Sequence, residues 1–120
     1  MARILLCDDL AFIKMIAKDV LEKNGHEVVA DASNGKDAIE KFQQTTPDLT
    51  IMDITMPEMN GLEALKKILE IDKKAKIIMC SALSQQKLIE EAIVEGAKDY
   101  IVKPFKPERL ISAIEKALES

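Results

Sequence analysis

Three aspartates, a serine and a lysine stand at the ends of short apolar runs in this chain of 120 residues, and their types define a narrow chemistry. Arg3–Cys7 runs into Asp8-Asp9, Leu49–Met52 into Asp53, Lys76–Cys80 into Ser81, and Tyr100–Val102 into Lys103-Pro104. Where such ends converge, carboxylates ~4 Å apart repel by roughly 4 kcal/mol per pair at an effective dielectric of ~20, so the cluster requires positive charge. Oxygen donors without a convergent His or Cys favour a hard cation. Mg²⁺ suits them, because it binds through one or two carboxylates and keeps waters that a phosphate can displace. Lys103 adds one more positive charge. Together the two cations balance three carboxylates, and both can stabilise an incoming phosphoryl group. An aspartate can itself be the nucleophile, since carboxylates form aspartyl-phosphate intermediates.

Convergence requires the apolar runs to be parallel strands separated by helices, and the spacing between them predicts that. Ile13, Ile16, Ala17, Val20 and Leu21 follow the i, i+3, i+4, i+7, i+8 spacing of one helix face, stopped by Asn24-Gly25. Glu27–Ala30 reads as a second strand, and Asn34-Gly35 turns into a helix carrying Ala38, Ile39 and Phe42 that closes at Pro47. After Asp53, a loop with Pro57 and Gly61 leads to a helix bearing Leu62, Leu65 and Leu69. Ser84 is the expected cap of a fourth helix, with Ile89, Ala92 and Ile93 inside it and Gly96 at its end. Pro107 opens the last helix, where Leu110, Ala113, Ile114, Ala117 and Leu118 trace one face. Five strands alternating with five helices predict right-handed crossovers and a parallel sheet covered on both faces, a doubly wound α/β fold. Such sheets bind ligands beyond the carboxyl ends of their strands, near the point where strand order reverses. With no linker, repeat or low-complexity tract, residues 1–120 are expected to form a single domain.

Composition narrows the partners. Apolar residues make up 48% and charged residues 32%, which fits a globular fold and argues against disorder. Aromatic residues are only 3%, so the core must be aliphatic. The net charge is −4 with both signs mixed along the chain, which offers no basic stripe to nucleic acid or to an anionic membrane. The apolar run Ile4–Cys7 is too short for a signal peptide or a spanning helix, so a cytoplasmic location is expected. Cys7 and Cys80 each end a buried run and read as reduced packing residues without metal-ligand spacing. His26 is expected to be an exposed bystander. Met52, Met56 and Met59 read as packing, and Lys73, Lys74 and Lys76 as a solvated turn.

The segments Leu5-Leu6-Cys7-Asp8-Asp9, Leu49 to Gly61, Cys80-Ser81-Ala82 and Lys98 to Phe105 together resemble the response-regulator receiver domains of two-component signalling. The resemblance covers the whole chain and rests on four separated motifs in the right order. It implies the flavodoxin-like sheet order 2-1-3-4-5 and a set of roles. Asp53 is the expected phosphoacceptor. Asp9 and Asp53 are the expected Mg²⁺ carboxylates, with the backbone carbonyl of Thr55 as a further ligand and Asp8 acting mostly through water. Ser81 is the hydroxyl that turns toward the phosphoryl group, Lys103 the cation that pairs with it through a cis Lys103-Pro104 bond, and Tyr100 the aromatic switch residue. Implied partners are a sensor histidine kinase and a downstream target on the face of the fourth helix, fifth strand and last helix. Within the family the expectation is a stand-alone, monomeric chemotaxis regulator acting on the flagellar motor switch. It would be a switch that catalyses its own phosphotransfer and dephosphorylation rather than an enzyme acting on other substrates.

Each residue has a plainer reading when taken alone. Asp8 or Asp9 can offset a helix dipole, Asp53 can start a turn, Ser81 can cap, Lys103 can be solvated, and Tyr100 can be strand packing. Their joint placement favours the phosphoryl site. A haloacid-dehalogenase-type phosphatase would need a second acid two residues after its nucleophile, where this chain has Thr55. A flavin site would need a hydroxyl-rich loop after the first strand, where Asp8-Asp9 repels phosphate. A receiver cut from a longer regulator with its own output domain remains the nearest rival.

Overall fold

The computed structural model describes all of residues 1–120. The apolar runs form strands β1 (Arg3–Cys7), β2 (Glu27–Ala32), β3 (Leu49–Asp53), β4 (Ile77–Ser81) and β5 (Asp99–Val102). The periodic segments form helices α1 (Ala11–Lys23), α2 (Gly35–Thr45), α3 (Gly61–Ile71), α4 (Gln86–Glu95) and α5 (Pro107–Glu119). All strand pairs are parallel, and the sheet order is β2-β1-β3-β4-β5. The order in which strands are added therefore reverses between β1 and β3, where the carboxyl ends carrying Asp8-Asp9 and Asp53 are neighbours. That is the position where a parallel sheet opens a crevice.

Alternation along the central strands divides the core in two. Leu5, Cys7, Met52, Ile77 and Met79 pack with Phe42, Leu65, Ile68 and Ala92 from α2, α3 and α4. Ile4, Leu6, Leu49, Ile51, Ile78, Cys80 and Ile101 pack with Leu21, Leu110 and Ile114 from α1 and α5. Every residue of β3 and β4 is buried, as a strand covered on both faces requires. No helix is long and apolar enough to cross a membrane.

Two asparagines start the helices that frame the crevice. Asn34 Oδ1 accepts from the Asp37 N–H at 2.8 Å, and Asn60 Oδ1 accepts from the Glu63 N–H at 2.9 Å. Gly61 follows the second cap for a steric reason. Its N–H donates to the Ile54 carbonyl at 2.7 Å, and a Cβ there would lie 2.0 Å from the Asp53 carbonyl oxygen.

Four local expectations are corrected. Ser84 caps nothing: Leu83–Gln85 form a 3₁₀ turn, and α4 begins at Gln86 without a side-chain cap. Ile16 is 40% exposed, because α1 buries a stripe through Ala17 and Leu21 that is narrower than its apolar pattern. Lys76 is not simply solvated, since its ammonium donates to the Leu118 carbonyl at 2.9 Å near the end of α5. His26 is half-buried, with Nδ1 accepting the Ala2 N–H at 3.1 Å. Burial and the nearby N-terminal amine lower its pKa, against the pull of Glu115.

Candidate functional site

The strand ends place the sequence-predicted residues one by one. Beyond Cys7 the Asp8 N–H donates to the Ala32 carbonyl at 3.0 Å, which continues the β1–β2 pairing and leaves Asp8 only 4% exposed. Asp8 Oδ1 accepts from the Leu10 N–H at 2.9 Å and Oδ2 from Lys103 Nζ at 2.6 Å, so both oxygens are engaged. Asp9 is exposed and makes no ion pair. Helix α1 starts two residues later, at Ala11, with no acid in its first turn. Asp53, the last residue of β3, is buried, with Oδ2 at 3.1 Å from Lys103 Nζ.

One carboxylate oxygen from each of Asp8, Asp9 and Asp53 falls within 4.8 Å of the others. Lys103 reaches this cluster from the end of β5, next to a cis peptide bond to Pro104. Ser81 closes β4, and its carbonyl accepts the Lys103 N–H at 2.8 Å. Its hydroxyl is wholly buried and has no partner, although buried polar atoms in folded proteins are nearly always paired. Thr55 is exposed on the loop after Asp53. Tyr100 is 40% exposed and lines a groove of about 580 Å³ that it shares with Leu83, Ile89, Ile93, Val94 and Val102 and with none of the cluster aspartates.

Charge and burial compete at Asp53. Desolvation raises its pKa, the Lys103 ammonium opposes it, and the charges of Asp8 and Asp9 add to the rise, which leaves the group at about 6. Burial lowers the Lys103 pKa, but the hydrogen bond to Asp8 and the charges of Asp53 and Asp8 outweigh it, so the net shift is upward and the ammonium is retained. The two nearby thiols stay protonated. Burial pushes Cys80 up to about 12 and Cys7 higher still, so neither competes as a soft ligand. An oxygen-only donor set with one exposed carboxylate is compatible with Mg²⁺.

One residue of this region was not visible in the sequence. Gln85 Oε1 accepts the Ala82 N–H at 2.8 Å, while its Nε2 donates to Thr55 Oγ1. Nothing in residue spacing marks a contact between loops 30 positions apart.

Comparison with known proteins agrees with this geometry. The response regulator receiver domain family matches residues 4–115, and the chain belongs to that family. It is a phosphoacceptor switch of two-component signalling, and its relatives place it among CheY-like regulators. The chemotaxis protein CheY of Bacillus subtilis is 58% identical over 116 residues, 97% of each chain. The CheY of Thermotoga maritima is 54% identical over 114 residues, 95% of each chain. In structure, the chain is similar to a component of the CheX-CheY-BeF3-Mg²⁺ complex from Borrelia burgdorferi. That match has a TM-score of 0.91 and 31% identity, covering 95% of this chain and 87% of that one.

Proposed function

We propose that Asp53 accepts a phosphoryl group from a sensor histidine kinase and that the modified protein changes its binding to a target. The observation that supports this best is the Asp8-Asp9-Asp53 cluster joined to Lys103, beside a buried Ser81 hydroxyl that lacks a partner. Asp9 and Asp53, with the Thr55 carbonyl, would hold Mg²⁺, and Asp8 would act through water because its oxygens are already engaged. When bound, the ion supplies charge stabilisation for in-line phosphoryl transfer.

The protein's own groups do the rest. An Asp53 oxygen attacks phosphorus, the bond from phosphorus to the donor imidazole breaks, and the electron pair leaves with the imidazole. The same arrangement would let the domain catalyse its own phosphotransfer and later hydrolysis. Lys103 then pairs with the phosphoryl oxygens and Ser81 gives its hydroxyl proton to one of them. A hydrogen bond to a charged group is worth roughly 1.5–3 kcal/mol, so the two supply about 3–6 kcal/mol. Swinging an equilibrium from 1:99 to 99:1 takes roughly 5.5 kcal/mol, so the upper end of that range is a full switch and the lower end a partial one.

The readout face is α4, β5 and α5, where the groove beside Tyr100 is lined mainly by apolar side chains. Tyr100 would report the movement of Ser81. The similarity to CheY supports a stand-alone, monomeric single domain of residues 1–120, acting in the cytoplasm on the flagellar motor switch. Coverage of 97% of the Bacillus subtilis relative supports the single-domain reading. The test is treatment with a small phosphodonor and Mg²⁺, followed by mass spectrometry. Phosphate should map to Asp53 and vanish in Asp53→Asn; stable labelling of that variant would overturn the assignment.

A further inference from the structure

We infer that Gln85 is a positioning residue, a carboxamide latch that ties the Ser81-Ala82 segment to Thr55 in the unphosphorylated protein and resists its rearrangement. The inference rests on the phosphoacceptor reading of Asp53. Both ends of the side chain are used at once: Oε1 accepts the Ala82 N–H at 2.8 Å and Nε2 donates to Thr55 Oγ1. Thr55 stands two residues after Asp53, and Ala82 directly follows Ser81. One side chain therefore joins the loop that carries the acceptor to the turn that carries the unpartnered hydroxyl.

The strand ends below this tie are fixed by backbone bonds. The Ile54 N–H donates to the Cys80 carbonyl at 2.9 Å, and the Lys103 N–H donates to the Ser81 carbonyl at 2.8 Å. Movement of Ser81 toward a group on Asp53 must be taken up beyond those bonds, in Ala82–Gln85. Hydrogen bonds weaken steeply with misalignment, so a shift of one loop against the other breaks at least one of the two carboxamide bonds. A contact present in one state and lost in the other stabilises the first, and deleting it moves the population toward the second.

Beryllofluoride with Mg²⁺ serves as the phosphoryl mimic. Its affinity is measured by amide chemical shifts for the unmodified protein, Gln85→Ala, Thr55→Val and the double variant. Gln85→Ala should bind about three- to tenfold more tightly, the factor of one modest net hydrogen bond. Its amide shifts in residues 81–102, without the mimic, should already move toward the bound positions. Thr55→Val deletes only the acceptor and keeps the carbonyl, so it should show part of the effect, and the double variant should not exceed Gln85→Ala. Should Gln85→Ala fail to fold, Thr55→Val alone decides. Unchanged or weaker affinity in the variants, with the unmodified protein still binding the mimic, overturns the latch. Failure of the unmodified protein to bind overturns the phosphoacceptor reading and the latch with it.

Discussion

The Lys103 ammonium lies closer to Asp8 than to Asp53, 2.6 Å against 3.1 Å. Its stronger partner is thus the carboxylate already held by the Leu10 amide, and the proposed acceptor keeps the looser contact. That division leaves Asp53 the more available of the two buried carboxylates. It also places a fixed positive charge beside any cation that enters the cluster.

Removing that charge should tighten divalent binding. Like unit charges ~4 Å apart repel by about 1 kcal/mol in bulk water and about 4 kcal/mol at an effective dielectric of ~20. The Lys103 side chain is 18% exposed, between those limits, so Lys103→Ala should lower the Mg²⁺ Kd about tenfold. Calorimetric titration measures it. A weaker Kd would mean that Lys103 gathers the carboxylates more than it repels the ion.

Asp53 should make the metal-free protein less stable as pH rises. Its folded pKa of about 6 exceeds the ordinary 3.8, so the folded state binds this proton more tightly than the unfolded chain. The resulting stabilisation is complete below 3.8 and is lost as pH climbs to about 6. Asp53→Asn stays neutral throughout. It should exceed the parent by roughly 1–2 kcal/mol near pH 7.5, less than the full shift implies because Lys103 loses a partner. Chemical denaturation at both ends of the range checks this, and a gap that persists at about pH 4 would contradict the sign.

Thr50 offers a stabilising substitution outside the acidic cluster. Its hydroxyl is wholly buried in β3 without a partner. An unpaired buried hydroxyl costs about 1–3 kcal/mol, and valine has nearly the same shape. Thr50→Val should gain about 1 kcal/mol, seen as a higher urea midpoint at unchanged slope. A lower midpoint would reveal a partner for that hydroxyl in solution.

The strand ends could be read from the sequence because burial on both faces leaves unbroken apolar runs, such as Ile77–Cys80, whose termination is itself a signal. Parallel topology then puts Asp8, Asp9, Asp53 and Lys103 on one edge whatever the loop details. Other features depend on single contacts between distant residues and have no period. Ser84 looked like a helix cap because serine is favoured there, yet it lies inside the 3₁₀ turn Leu83–Gln85, which starts the segment earlier. His26 looked solvated until the fold brought the Ala2 amide to it. The apolar stripe of α1 overstated its buried face, since periodicity marks which residues share a side but not how far the sheet extends beneath them.

The division of the core by the sheet has a consequence for how such a chain can change over generations. Side chains above and below the strands belong to separate clusters. Substitutions under α1 and α5 can accumulate and be repacked among themselves without disturbing the partners of Phe42 or Leu65 on the opposite side. A lineage can therefore drift on one side of the sheet to suit its temperature or its neighbours while the rim chemistry is held constant. What it cannot vary freely is the main chain at the shared edge, and at Gly61 it has no room for any side chain at all.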